Sequence, residues 1–119
     1  ADPVNYGFVT ATNRILLHEV VGGGSVLPDQ VIPNSVAGAP LSGTEPLIRV
    51  MGLSPITSTT QDPNGIRGVV RFTAGDHGSL LSPTASPEAT TEMQRQMASF
   101  IASGGTAVQV TDTSVIRTQ

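Results

Sequence analysis

Two short apolar runs frame the chain, Ile15-Leu16-Leu17-His18-Glu19-Val20-Val21 and Gly68-Val69-Val70-Arg71-Phe72-Thr73. Between them, residues 22–65 hold seven Gly and six Pro in 44 positions. That density of breakers predicts a long irregular excursion rather than packed repeating structure there. The first run stops at Gly22-Gly23-Gly24 and the second at Gly75, so both read as strands ending in turns. The first is continuous rather than alternating, the pattern of a parallel strand covered on both faces. His18 and Glu19 interrupt it, and His18 reads as a hydrogen-bonded strand histidine.

The 119 residues allow one small domain. A hydrophobic share of 38% with net charge −3 argues against a disordered chain. No apolar run reaches the ~18 residues of a membrane span. No basic segment followed by an apolar stretch opens the chain, so no signal peptide is expected in it. Cysteine is absent, which excludes disulfides and thiolate metal or redox sites. All six basic residues are Arg and none cluster, so neither nucleic acid nor a polybasic membrane anchor is expected.

Within the excursion, Thr44-Glu45-Pro46-Leu47-Ile48 predicts a short helix capped by Thr44, apolar at Leu47, Ile48 and Met51, and ended by Gly52. Asp62-Pro63-Asn64-Gly65 reads as a turn. The longest helix should start after Ser86 as cap, with Pro87 as first helical residue. Ala89, Met93, Met97, Phe100 and Ile101 form its apolar face, with Glu92, Arg95, Gln96 and Ser99 facing away. Gly104-Gly105 stop it. Residues 107–116 suit a terminal strand, or a hairpin around Thr111-Asp112-Thr113. Strands alternating with helices predict a three-layer α/β arrangement on a mainly parallel sheet.

Asp29 falls in the loop after the first strand and His77 in the loop after the second. In an open parallel sheet, the loops at the C-terminal strand ends form the ligand crevice. Neighbouring strands lie about 5 Å apart, so both side chains would emerge at one edge. An Asp accepting from a His Nδ1–H fixes the tautomer and stabilises the imidazolium, leaving the other ring nitrogen as a general base. Asp76 is the rival acid by proximity, placed second because adjacent loop side chains rarely face each other. Ser79 reads as a loop hydrogen-bonder. Gly22-Gly23-Gly24 lacks the surroundings of a phosphate loop, and no metal-ligand spacing occurs, so no cofactor and no metal are implied.

Five strings carry a resemblance: Asp2-Pro3-Val4-Asn5-Tyr6; Leu16-Leu17-His18-Glu19-Val20-Val21-Gly22-Gly23; Asp29-Gln30-Val31-Ile32-Pro33-Asn34; Pro40-Leu41-Ser42-Gly43-Thr44-Glu45-Pro46-Leu47-Ile48; and Asp76-His77-Gly78-Ser79-Leu80-Leu81. The chain resembles the C-terminal half of an α/β-hydrolase, similar to bacterial extracellular lipases of the VolA and Pla-1/cef type. The resemblance implies a partial α/β-hydrolase fold, with residues 1–119 as the C-terminal portion of the domain. It implies Asp29 as triad acid and His77 as general base, in the Ser, Asp, His chain order of that fold. It also implies a secreted or cell-surface location.

The family's Gly-x-Ser-x-Gly is missing. Gly52-Leu53-Ser54-Pro55-Ile56 lacks the second Gly, and Pro55 removes a backbone N–H that an oxyanion hole needs. Two classes of function therefore stand side by side. One is the acid and histidine part of a serine ester hydrolase, inactive alone. Its partner would be the N-terminal half carrying the nucleophilic Ser, and its substrate an ester or lipid. The other is a non-enzymatic α/β binding or assembly domain, with Asp29 and His77 as ordinary loop residues. A half sheet would leave open edges, from which self-association or strand exchange is expected.

Overall fold

The computed structural model describes residues 14–24, 26–30, 34–35 and 43–118. The motif strings at 2–6, 31–33 and 40–42 lie outside the described residues. In chain order the elements are β1 (Ile15–Val20), α1 (Thr44–Met51), β2 (Ser54–Pro55), β3 (Thr60–Gln61), β4 (Arg67–Phe72), α2 (Pro87–Ala102), β5 (Ala107–Val108) and a 3₁₀ turn at Thr113–Val115. β4 is the middle strand of a three-stranded parallel sheet, with β1 on one side and β2 on the other. β3 and β5 form a separate antiparallel pair. The chain is a small α/β fold.

The unbroken apolar pattern of β4 has a simple cause. Side chains alternate across a strand, and both faces of this one are covered. Val69 packs with Leu53 and with Ile48 of α1, while Val70 and Phe72 pack on the other face against Ala89 and Met93 of α2. β1 shows the same alternation. Leu17 meets the α1 layer, and Leu16 and Val20 meet the α2 layer. The two helices thus sandwich the sheet.

The start of α2 and the close of α1 follow their sequences. Ser86 accepts from the Ala89 N–H at 3.1 Å and Pro87 opens α2. Gly52 closes α1 in the left-handed region at φ 67°, a conformation that favours glycine. The Arg67 guanidinium donates to the Met51 carbonyl at that end, where a cation also complements the helix dipole. The Asp62–Gly65 turn forms, with Asn64 N donating to the Asp62 carboxylate at 2.9 Å.

Several expectations are corrected. Gly43, not Thr44, is the N-cap of α1, and Thr44 is its first residue. The terminal segment is not a long strand. It is the two-residue β5, the 3₁₀ turn and one bridge from Ile116 to Phe72. Ile101 is 69% exposed, whereas Glu92 and Gln96 are fully buried. The reason is a polar chain through the interior. Glu92 accepts the backbone N–H groups of Thr111 and Asp112, the latter at 2.8 Å, and takes a hydrogen bond from the Gln96 amide at 2.6 Å. The backbone at 111–112 lacks a ladder, so a carboxylate satisfies it instead. A polar residue with such partners looks like a surface residue in sequence.

Removing Glu92 strips the buried Gln96 amide and the part-buried N–H groups of Thr111 and Asp112 of their acceptor. Glu92→Ala should destabilise the fold by about 3 kcal/mol in urea unfolding, while exposed Glu88→Ala should stay within about 0.5 kcal/mol.

Candidate active site

Parallel pairing of β1 and β4 runs from Ile15 opposite Arg67 to Val20 opposite Phe72 without a break. Their C-terminal ends are therefore level, and the loops leaving them rise side by side. After β1 the chain turns at once. Gly22 has φ 74°, and a side chain there would put its Cβ 2.4 Å from the Val26 carbonyl oxygen. Gly23 and Val26 then exchange backbone hydrogen bonds at 3.0 and 2.8 Å. This turn brings Asp29 back over the strand end, where its N–H donates to the Val20 carbonyl at 3.0 Å. The glycine run is a turn that aims Asp29.

The loop after β4 is built around Ser79, which is fully buried. Its Oγ accepts from the Asp76 N–H at 2.7 Å and donates to the Asp76 carboxylate at 3.2 Å. The Asp76 carboxylate also accepts from Gly78 N at 3.0 Å. Thr90 of α2 donates to the Ser79 carbonyl at 2.5 Å and pins the loop to the helix. Asp76 is thus spent on its own loop, and His77 is left pointing outward.

The two aimed side chains meet. His77 Nδ1 lies 2.8 Å from Asp29 Oδ2. A carboxylate only accepts, so Nδ1 carries the proton of a neutral ring and Nε2 holds the lone pair. The Asp29 side chain is 14% exposed and the His77 ring 46%, so the acid is sheltered and the imidazole open to an incoming group. Asp29, not Asp76, is the partner of His77. Among the described residues no serine or threonine hydroxyl is hydrogen-bonded to the His77 ring, and Ser79 faces Asp76.

The pair lines a cleft of about 290 Å³, at the small end for ligand pockets. Leu17, Val20, Leu80, Met93 and Met97 give it an aliphatic wall, and His18, Glu19, Thr44 and Asp76 share the lining. Leu17 and Glu19 leave β1 on one face, His18 and Val20 on the other. The cleft therefore wraps around the edge of β1.

No family model, curated protein or solved structure matches the chain.

Two further ionisable groups on β1 line the cleft. His18 is a hydrogen-bonded strand histidine, as its sequence position suggests. Gln96 donates to Glu92, so its Oε1 is the atom facing His18 Nε2 at 2.9 Å, and Nε2 must donate. The ring meets Phe72 edge-on with centroids 5.2 Å apart. Burial lowers His18 to about 4, against partial support from Gln96 and Glu92. Glu19 lies buried beside Arg71 and Glu45, and burial, then Glu45, raises it to about 7. The Glu19, Arg71 and Glu45 cluster is absent from the sequence expectations. Its signal was a charged residue inside each apolar run, Glu19 and Arg71, which the strand register sets opposite each other.

Two measurements test this arrangement. In wild type, a downfield His77 Nδ1–H resonance should be visible by NMR, and Asp29→Ala should abolish it without unfolding the chain. The second concerns stability against pH. His18 binds fewer protons folded than unfolded, so its contribution is lost as pH falls from about 6.5 toward 4. Glu19 binds more protons folded, so its contribution is lost as pH rises from about 4.5 toward 7. The two slopes oppose each other in wild type. Glu19→Gln removes the second, so its stability should climb by about 2 kcal/mol between pH 4 and 6.5 in thermal melts, more steeply than wild type.

Proposed function

We propose that this chain supplies the acid and the histidine of a serine ester hydrolase of the α/β-hydrolase type, lipase- or esterase-like. The observation that carries the reading is the Asp29–His77 hydrogen bond at 2.8 Å between loops of adjacent parallel strands. It joins the two residues that the resemblance marks as triad acid and base. Asp29 orients the ring and stabilises the imidazolium, and His77 Nε2 takes the proton from a serine as it attacks the ester carbonyl. His77 then returns that proton to the leaving alcohol. The aliphatic wall of the cleft suits an acyl or alkyl chain.

The nucleophile and the oxyanion hole come from a partner segment, the N-terminal half of the same hydrolase. Two observations support this. The chain contains no Gly-x-Ser-x-Gly, and the cleft opens around the edge of β1, which pairs with no other strand than β4 among the described residues. Exposed Leu81 and Ile101 cluster with half-buried Met97 around the cleft residue Leu80. The lipase resemblance implies a secreted or cell-surface location for the whole enzyme. Among the described residues no helix is long and apolar enough to cross a membrane.

The purified chain alone should not hydrolyse a p-nitrophenyl ester. Co-expressed with a serine-bearing segment from its own coding sequence, it should yield an esterase that reacts with a fluorophosphonate probe. In that complex His77→Ala should lower kcat by about 10⁴-fold, and Asp29→Ala by about 10³-fold or more. Activity of the chain alone that is lost in His77→Ala would place the nucleophile within it and overturn the division of labour. A reconstituted esterase indifferent to both substitutions would overturn the assignment of the pair.

A further inference from the structure

Glu19 is 3% exposed, and its neighbour across the sheet is Arg71. That guanidinium is already engaged, since Nε and Nη2 each donate to Glu45 of α1 at 3.0 Å. Glu19 Oε1 lies 3.3 Å from the same Nε, yet neither Glu19 oxygen receives a hydrogen bond. Two carboxyl groups therefore face one guanidinium in a desolvated pocket. Ionising both leaves one negative charge uncompensated, which a buried site tolerates poorly. A proton on Glu19 removes that charge and provides an O–H for the Glu45 carboxylate.

Among the described residues the surrounding charges leave Glu19 no other cation. β4 contributes Arg71 and α1 contributes Glu45. Arg117, on the C-terminal segment, acts on Glu45. Asp29, Asp76 and His77 stand around the cleft that Glu19 lines, and His18 leaves β1 on the opposite face.

The cluster anchors the chain downstream of Asp29. α1 has eight residues, of which Pro46 and Ile48 are buried, and a helix so short is unstable without tertiary support. Its first turn is held to the sheet by Glu45. The Glu45 N–H also donates to the Asn34 carbonyl at 2.8 Å, tying down the chain five residues beyond Asp29. Thr44, next to Glu45, lines the same cleft as the Asp29–His77 pair.

We propose that Glu19 is a positioning residue for the Asp29–His77 pair: with its carboxyl protonated it clamps the first turn of α1 to the sheet, and once ionised it repels Glu45 and releases that turn. The position of Glu19 near 7 puts this change in the neutral range. The clamp acts on the geometry of the pair whether or not a serine meets it. Only its relevance to ester hydrolysis rests on the hydrolase reading.

NMR on the full chain tests this without any activity measurement, so its failure and that of the hydrolase reading are separable. The Glu19 side-chain carboxyl should titrate with a midpoint near 7. Between about pH 6 and 8.5, amide exchange in α1, corrected for intrinsic base catalysis, should quicken at least tenfold, and the His77 Nδ1–H signal should broaden away. Glu19→Gln mimics the protonated carboxyl and should keep both α1 protection and the His77 signal at about pH 8.5. Glu45→Gln removes the competing charge and should lower the Glu19 midpoint by about one unit or more. A wild-type Glu19 midpoint near 4.5, or a Glu19→Gln chain that loses the His77 signal as wild type does, would overturn the proposal.

Discussion

Six residues of β1 lie parallel to six of β4 in one continuous register, and the arrangement of the candidate site depends on that pairing. Parallel strands end level at the same edge. A turn after each strand then needs to carry its loop only a few residues to reach the other. Gly22 reverses the chain over Val20, and Ser79 folds the second loop around Asp76. Asp29 and His77 are 48 residues apart in sequence and 2.8 Å apart in space because the sheet has already brought their strands together. A register slip of one residue would exchange the two covered faces of β1 and misplace both loops.

The same strand carries two buried ionisable groups, one on each face, and they are held in opposite ways. His18 faces α2 in its neutral form, with one nitrogen donating to Gln96, and burial suppresses its proton uptake. Glu19 faces α1 and burial favours its proton. Both groups therefore favour neutrality, as desolvation demands. The consequence is a set of obligatory partners. Gln96 and Glu92 on α2, and Arg71 and Glu45 on the other side, bind the two helices to the sheet through directional contacts. Apolar packing alone would fix those helices less specifically.

The two long strands β1 and β4, the principal helix and the Asp29–His77 pair were legible in the sequence, each for a local reason, whereas the two-residue β2 and β3 sit in the Gly- and Pro-rich stretch that reads as irregular. Val69-Val70 in a continuous apolar run marks a doubly covered strand. Ser86-Pro87 is a cap followed by a residue preset for the first helical turn. Asp29 and His77 stand just past strand ends, where a parallel sheet collects its loops. The C-terminal segment and the burial of Glu92 were not legible, because both arise from a long-range exchange. The 111–112 backbone donates its hydrogen bonds to Glu92, so the segment needs no strand and the helix hides an acid. Ile101 erred in the other direction. It sits at helical spacing with Met97, but in that turn Phe100 is the residue packed on the core and Ile101 faces outward. The Glu19–Arg71 opposition needed the strand register, which no single run reveals.

A cleft that wraps around a strand edge has consequences for how ester chemistry would be completed there. Leu17 and Glu19 stand on one side of β1, and His18 and Val20 on the other, so no side chain of β1 alone can close the space. His77 Nε2 is the open end of the pair, and the proton it would take must come from a hydroxyl placed on the far side of the ring from Asp29. Ser79, the nearest serine in sequence, is buried and bonded to Asp76, and moving it would dismantle the loop that aims His77. Ser54 lies on β2, across β4 from β1. Ser79 is thus held in the loop that aims His77 and Ser54 lies beyond β4, so neither is placed to hand its proton to His77. Within the hydrolase reading, the attacking hydroxyl has to arrive over the β1 edge, carried by a segment that covers Met97 and Leu80 as it seats.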